Sequence, residues 1–306
     1  MRAEFHELAE KVNNWGRWGA DDERGTLNFI TPAVVKAATS AVRSGRTFAL
    51  AIPLSADGPQ IGMIPGRINP LKTMLMINDP MTGNIDEFCT SDDTVVMGLQ
   101  AGTHWDSLAH ATYSNRIYNG APIGSLNTKG AGKCGIDKVG ALVSRGVLLD
   151  VARAKGVDRL EPGYQLTAAD LDQAAEMGEV TVRSGDIVLV RTGQIQHLHA
   201  GDKMSYTFPS PGFSMQTALW LHDHEVAAVA NDTIVFECFP CEFEDLQLPV
   251  HLLHLVEMGL WQGQNWDLEA LAADCAEDGQ YDFLLTATPE PFVAGLGAPV
   301  APVAVK

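Results

Sequence analysis

Residues 186–193 read Asp186-Ile-Val-Leu-Val-Arg-Thr-Gly193. Four apolar residues in a row, bounded by an acidic residue and a glycine, predict a short strand buried on both faces. Upstream, Gly146-Val-Leu-Leu-Asp-Val151 reads as another strand. Between the two, Thr167-Ala-Ala-Asp170 forms a capping box with Asp in the place of the usual Glu or Gln, and opens a helix to about Met177. Downstream, Ser214 begins a helix through about Asp223, and Val226 to Asn231 follows as a strand. Strands alternating with helices predict an α/β fold.

Working outward, Thr31-Pro32 opens a helix that ends before Gly45, and Phe48 to Leu54 follows as a strand. Ser55 to Asp93 is rich in Gly, Pro and Asn and has little periodicity, which predicts long loops and short strands. Near the C-terminus, Leu252, Leu255, Val256 and Leu260 repeat at helical spacing, with Gly259 near the helix end. A further helix starts after Asp267, and Trp261 to Trp266 reads as a short link placed to deliver a ligand. No repeat or composition break divides the chain, so a single domain over residues 1–306 is expected.

Composition narrows the function. Hydrophobic residues make up 46% of the 306, enough for a sizeable core. With 21 Lys+Arg against 38 Asp+Glu the net charge is −17, which argues against nucleic acid and anionic lipid as partners and favours a small-molecule substrate. No apolar run approaches the ~20 residues of a membrane span, so a cytoplasmic protein is expected. Five scattered cysteines fit reduced thiols better than a disulfide framework.

The chemistry concentrates in Gly102-Thr-His104-Trp-Asp106-Ser-Leu-Ala-His110. If the segment is extended, the two-residue side-chain period puts His104 and Asp106 on one face, where a single cation could take both. His110 lies in the turn beyond, within reach to exchange a proton. Other clusters read as ordinary surface: His197/His199, His222/His224, the Cys238/Cys241 pair, and the acidic run Glu237, Glu242, Glu244 and Asp245, taken as a solvated face.

At this segment, together with Gly263-Gln-Asn-Trp-Asp-Leu268, the chain resembles the putative cyclase family of metal-dependent hydrolases, which includes bacterial kynurenine formamidase, isatin hydrolase and trans-dienelactone hydrolase. The Trp15-Gly-Arg-Trp18 opening and the Arg191-Thr-Gly193 strand end share the likeness. Of the family pattern HxGTHxDxxxH the first histidine is replaced by Gln100, while His104, Asp106 and His110 match. His251 corresponds to a histidine on a late helix, and Gln264 stands where many members carry glutamate. Isatin hydrolase is similar in using glutamine there around a single manganese ion.

The resemblance therefore implies a mixed, barrel-like sheet of the swivelling β/β/α type, a homodimer or homotetramer, and one divalent ion held by His104, Asp106 and Gln264, with manganese favoured over zinc. It implies hydrolysis of an amide, lactam or lactone by activated water, with His110 as base and His251 helping to stabilise the oxyanion. Trp15, Trp18, Trp105 and Phe208 are candidates for the wall of a pocket that accepts flat or aromatic substrates. Two alternatives stay open: a dehydratase or cyclase on the same residues, and a non-catalytic small-molecule binding protein.

Overall fold

The computed structural model describes residues 2–306. Four parallel strands form its centre: β5 (Val143–Asp150), β6 (Ile187–Arg191), β7 (Ala228–Asn231) and β8 (Trp261–Gln264) lie side by side in chain order. Every residue of β6, β7 and β8 is buried, which is why β6 and most of β7 run apolar without alternating, while β8 buries two glutamines. Beyond β5 the sheet continues antiparallel through β9 (Asp282–Thr286), β11 (Val303–Val305) and β1 (Thr47–Ala49). Beyond β8 it continues antiparallel through β4 (His104–Asp106) and β10 (Gly297–Pro299). The result is a curled, mixed sheet of nine strands in a mixed α/β fold.

Alternation along the strands sorts side chains into two apolar layers. Leu148, Ile187, Leu189, Ala228 and Ala230 join Trp105, Trp261, Trp266 and Phe283 on one face. Val147, Leu149, Val188, Val190 and Val229 join Phe5 and Leu8 of the helix Ala3–Val12, Leu171 of Ala168–Met177 and Leu221 of Thr217–Asp223 on the other.

Local signals translate where chemistry is specific. Thr31 accepts the Val34 N–H as N-cap of Pro32–Ala38, and Thr167 and Asp170 make both halves of the capping box. The helix expected from Ser214 starts at Thr217, and the strand expected over 48–54 shrinks to β1. Two expectations are corrected. The stretch 55–93 contains a long antiparallel hairpin, β2 (Leu71–Pro80) with β3 (Cys89–Val96), in place of short strands. Most of its residues are exposed, so nothing imposes the alternation that marks a half-buried strand. The link over 261–266 is largely β8 itself, an inner strand. The apolar helix before it begins at Pro249 and winds as a π-helix from Leu252 to Met258, ending at Gly259 with φ 65°.

Candidate metal centre

Across the antiparallel pair of β4 and β8, Gln264 faces His104 and Gly263 faces Trp105. Alternation then throws His104, Asp106, Gln262 and Gln264 to one face and Trp105 to the other. The β8 strand can come this close because residue 263 is glycine. A Cβ there would stand 2.7 Å from Trp266 Nε1 and 3.0 Å from Trp105 Cε3.

His104 and Asp106 are fully buried. The ring is fixed by Nδ1, which donates to the Gly102 carbonyl at 2.8 Å and so leaves Nε2 without its proton. That Nε2 is 3.5 Å from Asp106 Oδ1. Among the described residues neither atom has a hydrogen-bonding partner. Two lone-pair donors buried side by side with nothing between them are costly unless a cation sits there. The other carboxylate oxygen, Oδ2, is satisfied by the Gln264 amide at 2.8 Å and approached by Gln262 at 3.4 Å.

Among the described residues no three His, Cys, Asp or Glu side chains are grouped to hold an ion by themselves. A third protein donor would be the neutral oxygen of Gln264, whose amide nitrogen is the atom turned toward Asp106 here. The orphaned His104 Nε2 and Asp106 Oδ1, with an amide beside them, fit a divalent ion of mixed N/O preference.

His110 closes the turn after β4, its N–H bonded to the Ser107 carbonyl, and its side chain keeps 26% of its exposure. It is the open side of the cluster. Its Nε2 lies 3.7 Å from Asp106 Oδ1. On its far side, Gln100 Nε2 meets both His110 Nδ1 and the Leu296 carbonyl, each at 3.3 Å. A carbonyl only accepts, so the Gln100 amide nitrogen faces it and also donates to Nδ1. Neutral His110 therefore carries its proton on Nε2, toward the cluster. Burial holds its pKa below the usual histidine value, reinforced by His251, Arg67 and His104 and opposed by Asp106.

His251 enters from the helix start at Pro249–His251, with Nε2 4.0 Å from Asp106 Oδ2. Glu237 is buried beneath it and accepts three N–H groups: Val250 at 3.2 Å, His251 at 3.1 Å, and the His251 ring Nδ1 at 2.5 Å. Burial alone would lower the His251 pKa. The bond to Glu237, the charge of Glu237 and that of Asp106 override it, and the pKa is raised. For Asp106, burial raises the pKa, but His110, His104 and His251 together hold the carboxyl well below the ordinary range.

The structure thus brings His104, Asp106, Gln264, His110 and His251 together. The aromatic candidates have contacts of their own. Trp105 is fully buried on the opposite face, edge-on to Trp266 and bonded to the Ala287 carbonyl, so it packs the core and cannot line a pocket. Trp15 is tied to the Val256 carbonyl, and Trp18 packs edge-on against Phe29. Phe208 is 48% exposed and packs edge-on against Phe239, two residues beyond Glu237. Glu237 itself is a correction: read as part of a solvated face, it is buried. The signal was present in its apolar neighbours, Phe236 and Cys238. Gln262 and Arg67 had no motif to mark them. His199 pairs with Asp267 and His224 with the Trp220 carbonyl, both away from this cluster.

A curled mixed sheet that presents a buried His-Asp pair beside two further histidines defines a candidate metal centre on a cyclase-like fold. The chain belongs to the Cyclase family, whose model, described as "Putative cyclase", matches residues 22–238. It is similar to a crystal structure described as a novel cyclase, at 37% identity and TM-score 0.88, over 96% of this chain and 100% of that one. Isatin hydrolase A from Ralstonia solanacearum shares the fold at 19% identity and TM-score 0.63, over 90% of this chain and 98% of that one. An isatin hydrolase bound to the product analogue thioisatinate does so at 17% identity and TM-score 0.61, over 85% and 91%. No curated protein matches. Among the described residues no helix is long and apolar enough to cross a membrane.

Proposed function

We propose that the protein is a metal-dependent hydrolase that opens an amide, lactam or lactone bond in a small cyclic or aromatic substrate. One observation carries the reading: His104 Nε2 and Asp106 Oδ1, buried 3.5 Å apart and both without a partner. Membership of the Cyclase family and the fold shared with isatin hydrolases support it. His104, Asp106 and the Gln264 amide oxygen would hold the ion, with manganese favoured and zinc the other candidate. When bound, a divalent ion supplies a Lewis acid that polarises a carbonyl and acidifies water.

The chain's own residues divide the remaining work. His251, locked in one orientation by Glu237 and biased toward its charged form, presents Nε2–H where negative charge develops on the carbonyl oxygen. His110 moves the proton at Nε2. It gives that proton to the leaving nitrogen or oxygen only once it also carries one on Nδ1, so that a neutral ring is left behind. To take a proton at Nε2 it must carry the other on Nδ1, which Gln100 can accept by turning its amide over. Burial keeps His110 neutral near pH 7, as a group that must both give and take requires.

The test is hydrolysis of isatin, N-formylkynurenine and a dienelactone with and without chelator. The expected result is chelator-sensitive turnover of one or more, lost in His104→Ala and lowered in His110→Ala with the metal retained. Turnover that ignores both chelator and His104→Ala would overturn the reading.

A further inference from the structure

Between Asp57 and Lys72 the chain carries a single charge, Arg67. The loop holding it is fastened down. Asn69 accepts the Gln60 N–H at 2.9 Å and donates to the carbonyls of Gly58 and Gln60 at 3.3 and 2.9 Å. The Ile68 carbonyl accepts the Gly98 N–H at 3.1 Å. The Arg67 stem lies against Gly98, where a Cβ would stand 3.0 Å from Arg67 Cγ. Two residues further on, Gln100 reaches His110. The loop is therefore anchored to the segment that leads into the metal centre.

The guanidinium is half-buried, and its positive charge works against protonation of His110 and His251. Among the described residues it forms no ion pair and no side-chain hydrogen bond, and the only attraction on it is the long-range one of Asp106. The other inward arginines behave differently. Arg145 donates to Asp186 at 3.0 and 2.7 Å, and Arg191 donates to Glu269 at 2.6 Å and to Asp150 at 2.8 Å. A withdrawn arginine is ordinarily paired, because its planar set of five donors is expensive to strip of water. Arg67 alone of the three, on a loop anchored to the segment that leads into the cluster, keeps its donors unspent among the described residues.

We propose that Arg67 binds an anionic group of the ligand, so that the site selects small molecules carrying a carboxylate near the bond to be broken. The substrate class rests on the hydrolase reading, whereas anion binding at Arg67 does not. A carboxylate meets a guanidinium through two parallel N–H···O bonds, a geometry lysine cannot copy.

The probes are benzoate and its neutral counterpart benzamide, titrated calorimetrically into the metal-loaded full chain. Wild type should prefer benzoate. Arg67→Gln should weaken benzoate roughly 10- to 100-fold, the loss expected for a charge-assisted hydrogen bond, and leave benzamide unchanged. Arg67→Lys should recover part of the loss, and it keeps the test decisive if Arg67→Gln folds poorly. Benzoate affinity unchanged in both variants, or an equal loss for benzamide, would overturn the proposal. In the kinetic arm, kcat/KM for a carboxylate-bearing substrate should fall in Arg67→Gln by a larger factor than for its neutral amide counterpart. Benzoate selectivity without hydrolysis of any substrate would sink the hydrolase reading and leave Arg67 standing. Hydrolysis without selectivity would sink Arg67 alone.

Discussion

Replacing Glu237 by Gln tests whether the buried pair with His251 is what the geometry says it is. The carboxylate accepts three N–H groups, two from the helix start and one from the ring. Glutamine keeps the shape but offers one acceptor oxygen, so its amide nitrogen must face at least one of those donors. Exchanging the charge-assisted ring bond for a neutral one costs about 1–2 kcal/mol, and a backbone N–H left buried without a partner costs roughly 1–3 kcal/mol more. The expected loss is therefore about 2–5 kcal/mol, a large share of the ~5–15 kcal/mol that holds a typical domain together. Urea unfolding monitored by tryptophan fluorescence measures it.

The pH dependence has a definite sign. His251 is raised above its ordinary value, so the stability its pairing supplies is fully present below about pH 6.5 and is lost as pH rises through the raised value. The deficit of Glu237→Gln should accordingly be larger near pH 6 than near pH 9, by roughly the charged part of the interaction. A variant as stable as wild type within about 0.5 kcal/mol at every pH would refute the pairing.

Two further predictions concern the scaffold. Gly263→Ala would press a methyl group against Trp266, Ala230 and Trp105, and should cost about 1–3 kcal/mol in urea unfolding; an unperturbed variant would mean that β8 and β4 are not packed this closely. Asp232 accepts the N–H groups of Thr192 and Gly193 and the Thr192 hydroxyl, yet burial pushes its pKa up to about 6. Its contribution is fully present below its unfolded value near 3.9 and is lost as pH rises through about 6, a change on the order of 3 kcal/mol. Relative to Asp232→Asn, the wild type should lose that amount between about pH 4 and pH 7; parallel stability profiles would contradict it.

Three of the four central strands, β5 to β7, were legible because burial on both faces leaves an apolar run, as in Ile187–Arg191, and the helices because caps such as Thr31 and Thr167 act over three residues. The hairpin of 71–96 was not, since strands exposed on both faces carry no period. The candidate ligand segment around His104 was visible through the i, i+2 placement of two donor types. Glu237 and Gln262 were not, because their roles arise from contacts that form only when the chain folds: Glu237 beneath a helix that starts twelve residues later, Gln262 across a strand pair. Trp105 shows the reverse error. An aromatic residue between two candidate ligands looks like part of the site, but alternation sends it to the far side of the sheet.

Elemental analysis of the purified full chain beside Asp106→Asn and His104→Ala tests the central claim most directly. The account predicts a single divalent ion per chain in wild type and loss of that ion in both variants while they remain folded by circular dichroism. A folded wild type that binds no ion when supplied with manganese or zinc, or variants that keep the full wild-type content, would contradict it.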